Sequence, residues 1–206
     1  MANFPLDYGS YIYNREVASS GYNQEQAKNI LNNSGWEYKY NRWQKKENYK
    51  TLKLSLTLTV NSDDTNRVAI AENIKTQLEQ IGMKITIKKV SDSNYKKILE
   101  NKNYEMLVTG IYNSYSPDLT YFFGNNNLQN YENEEIKQIL EEIKGVTDTN
   151  ILKEKYQKII QIYEEDKPFI SLYRNKQTII KSQNLAGEIV GNNYFSYYGL
   201  ENWNRI

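Results

Sequence analysis

Residues 51–90, TLKLSLTLTVNSDDTNRVAIAENIKTQLEQIGMKITIKKV, decide the predicted fold of this chain. At the start of this stretch leucine or valine alternates strictly with lysine, serine or threonine, which is the pattern of a half-buried strand. Apolar residues then recur every three or four positions over Val68–Ile81, which predicts an amphipathic helix with Asp64 or Thr65 as its cap. Gly82 ends the helix, and MKITIKKV is typical of a second strand. A strand, a helix and a strand joined by short links form a βαβ unit, which is almost always parallel and right-handed.

The residues after this unit predict a second crossover of the same kind. A short helix is expected at about residues 93–101, and a strand follows over Tyr104–Ile111, where the side chains alternate again. Two crossovers in succession are typical of an α/β fold with an open, mainly parallel, twisted sheet and helices on both faces. Two later helices, at residues 133–144 and 149–166, have apolar faces that are expected to pack on this sheet.

Smaller elements are predicted before this unit and near the end of the chain. Asn23 can cap a first helix, with Gln26 at the capping-box position and Gly35 as its stop. Residues 36–50 are typical of a hairpin or extended ribbon with a polar turn. Residues 168–182, PFISLYRN followed by KQTIIKS, are expected to pair as another hairpin.

The strand that starts at Tyr104 leads into the candidate ligand-binding loop. Its sequence to Phe123 is YEMLVTGIYNSYSPDLTYFF, and the strand pattern breaks off where Tyr, Ser, Pro and Asp begin to dominate. A buried strand that ends in a loop of hydrogen-bonding and stacking groups is how α/β proteins present a binding site. None of the loop residues is an obvious nucleophile or metal ligand, so the loop favours holding a ligand over transforming one. The candidate ligand-binding residues are Tyr112, Asn113, Ser114, Tyr115 and Asp118.

Each candidate has a functional and a structural interpretation. The segment 112–115 either lines a ligand cleft, where Tyr, Asn and Ser suit peptides of variable sequence, or is an aromatic surface turn. Asp118 either attracts a cationic group of the ligand or caps a short helix over residues 119–123. Arg174 could reach a carboxylate but is more typical of a solvated strand residue. Trp36 and Trp43 could flank a ligand but are more typical of hydrophobic anchors after the first helix.

Composition excludes several classes of function. The 206 residues are 39% hydrophobic and 25% charged, which is enough for a packed core. Lys and Arg number 26 against 25 Asp and Glu, with no basic stripe, so nothing in the charge pattern predicts a nucleic-acid partner. The chain has no cysteine and no histidine, which removes disulfides, the common zinc sites and a Ser-His-Asp triad.

Other features of enzymes and of exported proteins are also missing from the sequence. Paired acids such as Asp63 and Asp64 lie on polar faces of the predicted elements, and there is no glycine-rich phosphate loop. We therefore expect no enzymatic activity, no catalytic residue, no bound metal and no cofactor. No apolar run is long enough to cross a bilayer, and the first residues, MANFPLDYGSYIY, lack the basic and apolar regions of a signal peptide. If the parent protein is exported, we expect its targeting segment to lie outside this chain.

Several motifs follow one another in an order that resembles a known family. The chain contains AKNILNNSGW at residues 27–36, QLEQIGMKITIKKV at residues 77–90 and PFISLYRN at residues 168–175. These resemble the patterns AK-x-LL-x-x-x-GW, QL-x-x-IG-I-x-V-x-I and P-x-I-x-LY of the oligopeptide/dipeptide/nickel solute-binding proteins of ABC importers. The resemblance extends over most of the chain, from Tyr22 to Tyr173, and is to the C-terminal part of the family's proteins.

This resemblance implies a periplasmic-binding-protein-like lobe, one of two lobes that enclose a ligand. Residues 1–22 would then be a hinge or connecting segment, residues 23–184 the ligand-binding lobe, and residues 185–206 a tail that returns to the other lobe in a full-length member. Many peptide-binding members carry an aspartate that pairs with the ligand's α-amino group at the position of Ser114. Because the nearest acid here is Asp118, either the peptide N-terminus is not the anchor or Asp118 takes over that role.

The implied function is non-catalytic capture of small peptides or related solutes by an extracytoplasmic lipoprotein. Its partners would be a peptide or small-molecule ligand and, in the full-length protein, the membrane subunits of the ABC transporter. Unpaired aromatic surface at the ends of the chain also favours self-association. The alternative is a stand-alone α/β protein–protein interaction module, in which both aromatic ends would pack on their own domain.

Overall fold

The computed structural model describes residues 4, 6, 10–12, 21–112, 116–175, 178–188, 190, 195 and 197–205. The chain divides into two compact units. We call the first the helical unit; it comprises Met1–Ala18, Asn113–Thr120 and Asn133–Ile206. We call the second the sheet unit; it comprises Ser19–Tyr112 and Tyr121–Glu132.

From the first helix to the sixth, the helices and strands follow the order that the sequence patterns predict, except that one predicted strand is divided into two. Up to the point where the chain leaves the sheet unit, they are α1 (Gln24–Asn33), β1 (Glu37–Lys39), β2 (Arg42–Glu47), β3 (Lys50–Lys53), β4 (Ser55–Asn61), α2 (Thr65–Gln80), β5 (Lys84–Val90), α3 (Asp92–Asn101) and β6 (Met106–Leu107). The remaining elements are α4 (Thr120–Phe123), α5 (Glu134–Glu142), α6 (Thr149–Asp166), β7 (Leu185–Ala186), a 3₁₀ turn (Leu200–Asn202) and β8 (Asn204–Arg205).

A three-stranded parallel sheet with the order β5-β4-β6 is the centre of the sheet unit. Leu58 of β4 is paired with Ile87 on one side and with Met106 on the other. Helix α2 connects β4 to β5 and α3 connects β5 to β6, so the two predicted crossovers are both present. The buried core of this unit consists of Leu58, Val60, Ala71, Ile85 and Val108.

The strand predicted over residues 51–60 is in fact two strands. Lys50–Lys53 pair antiparallel with β2, and only from Ser55 does the chain enter the parallel sheet. At the break, the backbone N–H of Leu54 donates to the carbonyl of Trp43. Leu52 is 38% exposed while Leu58 is 1% exposed. The sequence pattern missed the break because the same alternation suits an antiparallel ribbon and a half-buried parallel strand.

The strand predicted over residues 104–111 is also shorter than its pattern. Only Met106 and Leu107 are in the ladder with β4, and the N–H of Val108 adds one more bond, to Thr59. The carbonyl of Val108 instead accepts a hydrogen bond from the buried hydroxyl of Tyr95, at 2.7 Å. A side chain from α3 therefore takes up a backbone group that would otherwise continue the ladder.

Predictions for the start of the sheet unit are confirmed. The side chain of Asn23 accepts a hydrogen bond from the N–H of Gln26 and caps α1. Strands β1, β2 and β3 form an antiparallel ribbon, as the pattern of residues 36–50 indicates. Trp43 is 2% exposed, and its indole N–H donates to the carbonyl of Ile81 at 2.6 Å, so it is an anchor in the core.

The helical unit is built around α5 and α6, which contact each other. Their buried side chains are Ile136, Ile139, Leu140, Leu152, Tyr156, Ile159, Ile160, Ile162 and Tyr163. Phe4 is buried in this unit and meets the ring of Tyr163 edge-on, with 5.2 Å between ring centroids. Helices α5 and α6 belong to a different compact unit from the parallel sheet, so their packing on that sheet stays a prediction. An amphipathic pattern shows that one face is buried but not which element covers it.

The later part of the helical unit has little regular structure. Within residues 168–175 and 178–182 the structure has no strand, so the hairpin predicted there is absent from the described part. Strands β7 and β8 pair antiparallel, and the indole N–H of Trp203 donates to the carbonyl of Glu188 at 3.1 Å. No helix in the described ranges has the length and apolar character needed to cross a membrane. The division of the chain at residues 22 and 184 stays a prediction.

Candidate functional site

The carboxyl ends of β4 and β6 form the edge at which a parallel sheet usually binds its ligand. At this edge the amide of Asn61 donates to Asp92 at 3.0 Å, and the N–H of Asp92 donates to Asp63 at 3.1 Å. A hydrogen bond from Lys96 lowers the pKa of Asp92 below its ordinary value of 3.8, and the bond from Asn61 contributes to this lowering. The carboxylate of Asp92 is therefore ionised, and these hydrogen bonds tie the β4–α2 turn to the start of α3.

Arg67 lies in the first turn of α2, at the same edge. Its Nε atom is 3.1 Å from Oδ2 of Asp64, the residue whose side chain caps this helix. On its other side, Nη2 would lie only 2.7 Å from a Cβ atom built on Gly110. The guanidinium group therefore lies directly against the backbone at Gly110, where the candidate ligand loop leaves the sheet.

Tyr95 connects Arg67 to the same stretch of backbone. The Tyr95 side chain is buried, and burial raises its pKa above the ordinary value of 10.0. Hydrogen bonds with Thr109 and Arg67 lower the pKa in part, as does the positive charge of Arg67. Sequence reasoning missed both residues. The position of Arg67 directly after the carboxyl end of a predicted parallel strand is the signal that could have identified it.

Tyr112 is a candidate residue that the structure presents openly. It follows Gly110 by two positions in the sheet unit, and its side chain is 100% exposed. Ile111 next to it is 41% exposed. An exposed aromatic ring that follows a buried strand can stack on an extended ligand and offer a hydroxyl for hydrogen bonding.

Asp118 belongs to the helical unit, and its structural interpretation is the one observed. Its Oδ1 atom accepts a hydrogen bond from the N–H of Thr120 at 2.8 Å, at the start of α4. The neighbouring carbonyl of Pro117 accepts a hydrogen bond from the hydroxyl of Tyr156. Burial, followed by the negative charge of Asp118, raises the pKa of Tyr156. The short segment before α4 is thus held in place by both backbone and side-chain contacts.

The remaining three candidates, Asn113, Ser114 and Tyr115, lie outside the described residues. Tyr112 and Asp118 belong to different units. A single site formed by all five residues therefore stays a prediction.

Arg174 has a role that neither interpretation of the sequence included. Its Nη2 atom donates to the carbonyl of Phe4 at 3.0 Å and to the carbonyl of Leu6. It is therefore neither a simple solvated residue nor a group aimed at a ligand carboxylate, but a tie to the first segment of the chain. A contact between residues so far apart in sequence leaves no local pattern to detect.

The described residues include no arrangement typical of a metal site. Within these ranges no group of three or more Asp and Glu side chains is arranged to hold a metal ion. The acidic residues at the sheet edge are occupied instead by amide, backbone and lysine donors.

The chain matches a protein family and one of its curated members. The family model described as bacterial extracellular solute-binding proteins, family 5 (middle), matches residues 2–133. The oligopeptide-binding protein AppA of Bacillus subtilis (strain 168) is 26% identical over 191 residues, which are 89% of this chain and 35% of AppA. The chain therefore spans about a third of the length of this curated relative.

Solved structures show the same fold. AppA from Bacillus subtilis in complex with a nonapeptide has a TM-score of 0.77 at 24% identity, covering 98% of this chain and 42% of AppA. NikZ from Campylobacter jejuni in complex with Ni(L-His) has a TM-score of 0.74 at 18% identity, covering 99% of this chain and 43% of NikZ. At these identities the likeness concerns the fold, and it confirms the prediction of a periplasmic-binding-protein-like α/β fold.

Proposed function

Since this chain belongs to family 5 of the bacterial extracellular solute-binding proteins, we propose that it is the ligand-binding lobe of a peptide-type binding protein of an ABC importer. The observation that carries the proposal is the family match over residues 2–133. That range contains the whole parallel sheet and both Tyr112 and Asp118. The relative that binds oligopeptides, AppA, makes a peptide the first ligand to test.

The mechanism is capture without chemistry. Residues 23–184 hold one side of an extended peptide or related solute, and residues 1–22 and 185–206 connect this lobe to a second lobe. Hinge closure of the two lobes encloses the ligand, and the closed form docks on the membrane subunits of the importer. The parent protein works outside the cytoplasm as a lipoprotein, and no bond in the ligand is made or broken.

The proposed contact residues are the five of the candidate loop, Tyr112, Asn113, Ser114, Tyr115 and Asp118. The exposed ring of Tyr112 supports this assignment, because it offers apolar area together with a hydroxyl group. Asp118 remains exposed although one of its oxygen atoms caps α4. A carboxylate has two oxygen atoms, so it can cap the helix and attract a ligand cation at the same time.

An isolated lobe should bind its ligand weakly. A complete site with a dissociation constant of about 1 μM corresponds to about −8 kcal/mol. If each lobe contributes about half, this chain binds with about −4 kcal/mol, or a dissociation constant of roughly 1 mM.

The test is an NMR titration of the ¹⁵N-labelled chain with a nonapeptide of mixed sequence. We expect fast-exchange shifts centred on residues 108–120, a dissociation constant on the order of 1 mM, and a peptide that mass spectrometry recovers intact. If no chemical-shift changes appear at a nonapeptide concentration about ten times higher than 1 mM, the function proposed for this lobe is wrong. Sub-micromolar affinity would contradict the one-lobe picture, and cleaved peptide would contradict capture without chemistry.

Matched tyrosine variants locate the site. Tyr112→Ala is expected to weaken nonapeptide binding by about three- to tenfold, in the range of a single aromatic contact. Tyr49→Ala is the control, because Tyr49 is equally exposed but lies in the turn between β2 and β3. Equal effects of the two substitutions would show that the peptide does not use the candidate loop.

A further inference from the structure

A continuous line of polar contacts runs from the start of α2 to the end of β6. The carboxylate of Asp64 pairs with Arg67, the positive charge of Arg67 lowers the pKa of the buried Tyr95 in part, and the hydroxyl of Tyr95 donates to the carbonyl of Val108. These four residues come from three segments of the sheet unit, namely the start of α2, α3 and the end of β6. The line ends where the ladder between β4 and β6 ends, so its contacts hold the backbone directly after the last hydrogen bonds of the sheet.

Gly110 completes the arrangement from the other side. Any side chain at this position would place its Cβ atom 2.7 Å from Nη2 of Arg67, closer than such atoms approach in proteins. The φ angle of Gly110 is not among the positive values found in this chain, so backbone strain does not explain the glycine. Space for the guanidinium group does explain it.

From these contacts we infer that Arg67 is a positioning residue for the ligand loop. It holds the backbone of Val108–Gly110 in one path and so fixes the point from which Tyr112 is presented. Arginine suits this task because its planar fork can pair with Asp64 and Tyr95 simultaneously, whereas lysine has a single charged nitrogen. The effect on ligand affinity rests on the proposed peptide-binding function, but the effect on the backbone path does not.

The first measurement follows backbone hydrogen exchange of Val108–Tyr112 in the whole chain without ligand. In Arg67→Ala and in Arg67→Lys, we expect exchange in this segment to accelerate by about tenfold relative to β4 and β5. Arg42→Ala is the control, because Arg42 is an exposed arginine of the sheet unit that lies in β2 and not in this line of contacts. It should leave the segment unchanged.

The second measurement is a double-mutant cycle between Arg67 and Gly110. Gly110→Ala alone should displace the guanidinium and accelerate exchange as Arg67→Ala does. In the background of Arg67→Ala the added methyl group meets no guanidinium, so Gly110→Ala should have little further effect. Gly21→Ala is the glycine control, because a Cβ atom there has no neighbour within 4 Å.

The third measurement repeats the nonapeptide titration with the same variants. Loss of positioning should weaken binding by about three- to tenfold in both Arg67→Ala and Arg67→Lys. Rescue by lysine would overturn the inference, because charge alone would then be sufficient. Additive effects in the cycle, or faster exchange across the whole sheet, would also overturn it in favour of a general loss of stability. If the unsubstituted chain does not bind the nonapeptide, the proposed function fails while the exchange data still test Arg67.

Discussion

In the sheet unit the residues of the core cluster lie in consecutive strands and helices or, for Val108, directly after a strand, whereas in the helical unit several buried residues come from segments without regular structure. Leu58 and Ala71 lie in elements that follow each other directly along the chain. Phe4, Leu6 and Ile12 are equally buried but belong to no helix or strand. The sheet unit follows local sequence rules, and the helical unit depends on contacts between distant parts of the chain.

The two ends of the chain differ in the burial of their aromatic residues. Both ends are aromatic, but Phe4 is 1% exposed while Phe195 in the tail is 66% exposed. Arg174 adds hydrogen bonds to the first segment through the carbonyls of Phe4 and Leu6. Phe4 and Leu6 are therefore part of the core of the helical unit, whereas the tail residues Phe195, Tyr197 and Tyr198 are exposed.

The largest effect is expected from Phe4→Ala. Removing a buried ring that packs on Tyr163 should lower the free energy of unfolding by about 3–5 kcal/mol, measured by urea denaturation. Phe195→Ala is the matched control, and it should change stability by less than about 0.5 kcal/mol because the ring is mostly exposed. Similar values for the two variants would show that the first segment is not part of a core.

A somewhat smaller effect is expected in the sheet unit, where substitutions of two leucines distinguish the single strand predicted over residues 51–60 from the two strands observed there. Leu58→Ala should cost about 2–5 kcal/mol, because this side chain lies in the buried centre of β4. Leu52→Ala should cost less than about 1 kcal/mol, because Leu52 lies in the partly exposed ribbon strand β3. A single ten-residue strand would instead make the two substitutions equally costly.

The two units also show how much of the structure could be predicted from the sequence alone. Periodicity and caps predicted α1, α2, α3, α5 and α6, because these signals are carried by residues within a few positions of each other. The partner of each apolar face was not predictable, since that is set by tertiary contacts. The tie from Arg174 to Phe4 and the contact of Arg67 with Gly110 both join segments that have no shared local pattern.

Raising the pH above about 10 is expected to lower the stability of both units by an amount between those of the other predictions. Burial raises the pKa of Tyr95 in the sheet unit and of Tyr163 in the helical unit above 10.0. Above pH ~10 the unfolded chain releases phenolic protons that the folded chain retains, so stability should fall as pH rises. The loss is at most about 1.4 kcal/mol per pH unit for each such tyrosine.

Ultraviolet absorbance of tyrosinate, followed together with denaturation, checks this expectation. Tyr163→Phe should make the fall in stability with pH less steep while leaving the late titration of Tyr95 in place. Titration of every tyrosine near the ordinary pKa, in a chain that remains folded, would contradict the burial of these hydroxyls.

The smallest effect on stability, and the one closest to function, is expected at Asp118. Asp118→Ala removes the acceptor for the N–H of Thr120 and should cost about 1 kcal/mol. Asp118→Asn keeps a side-chain oxygen at that position and should be almost neutral for stability. The pair of variants therefore separates the cap from the charge.

Nonapeptide binding then decides between the two interpretations of Asp118. If the carboxylate also attracts a ligand cation, Asp118→Asn weakens binding by about three- to tenfold while stability is unchanged. Raising the salt concentration should reduce this difference, because an exposed charge pair is screened by ions. If Asp118→Asn binds the nonapeptide as the unsubstituted chain does, the residue is a cap only. The expected ligand contact would then be Tyr112, in the sheet unit.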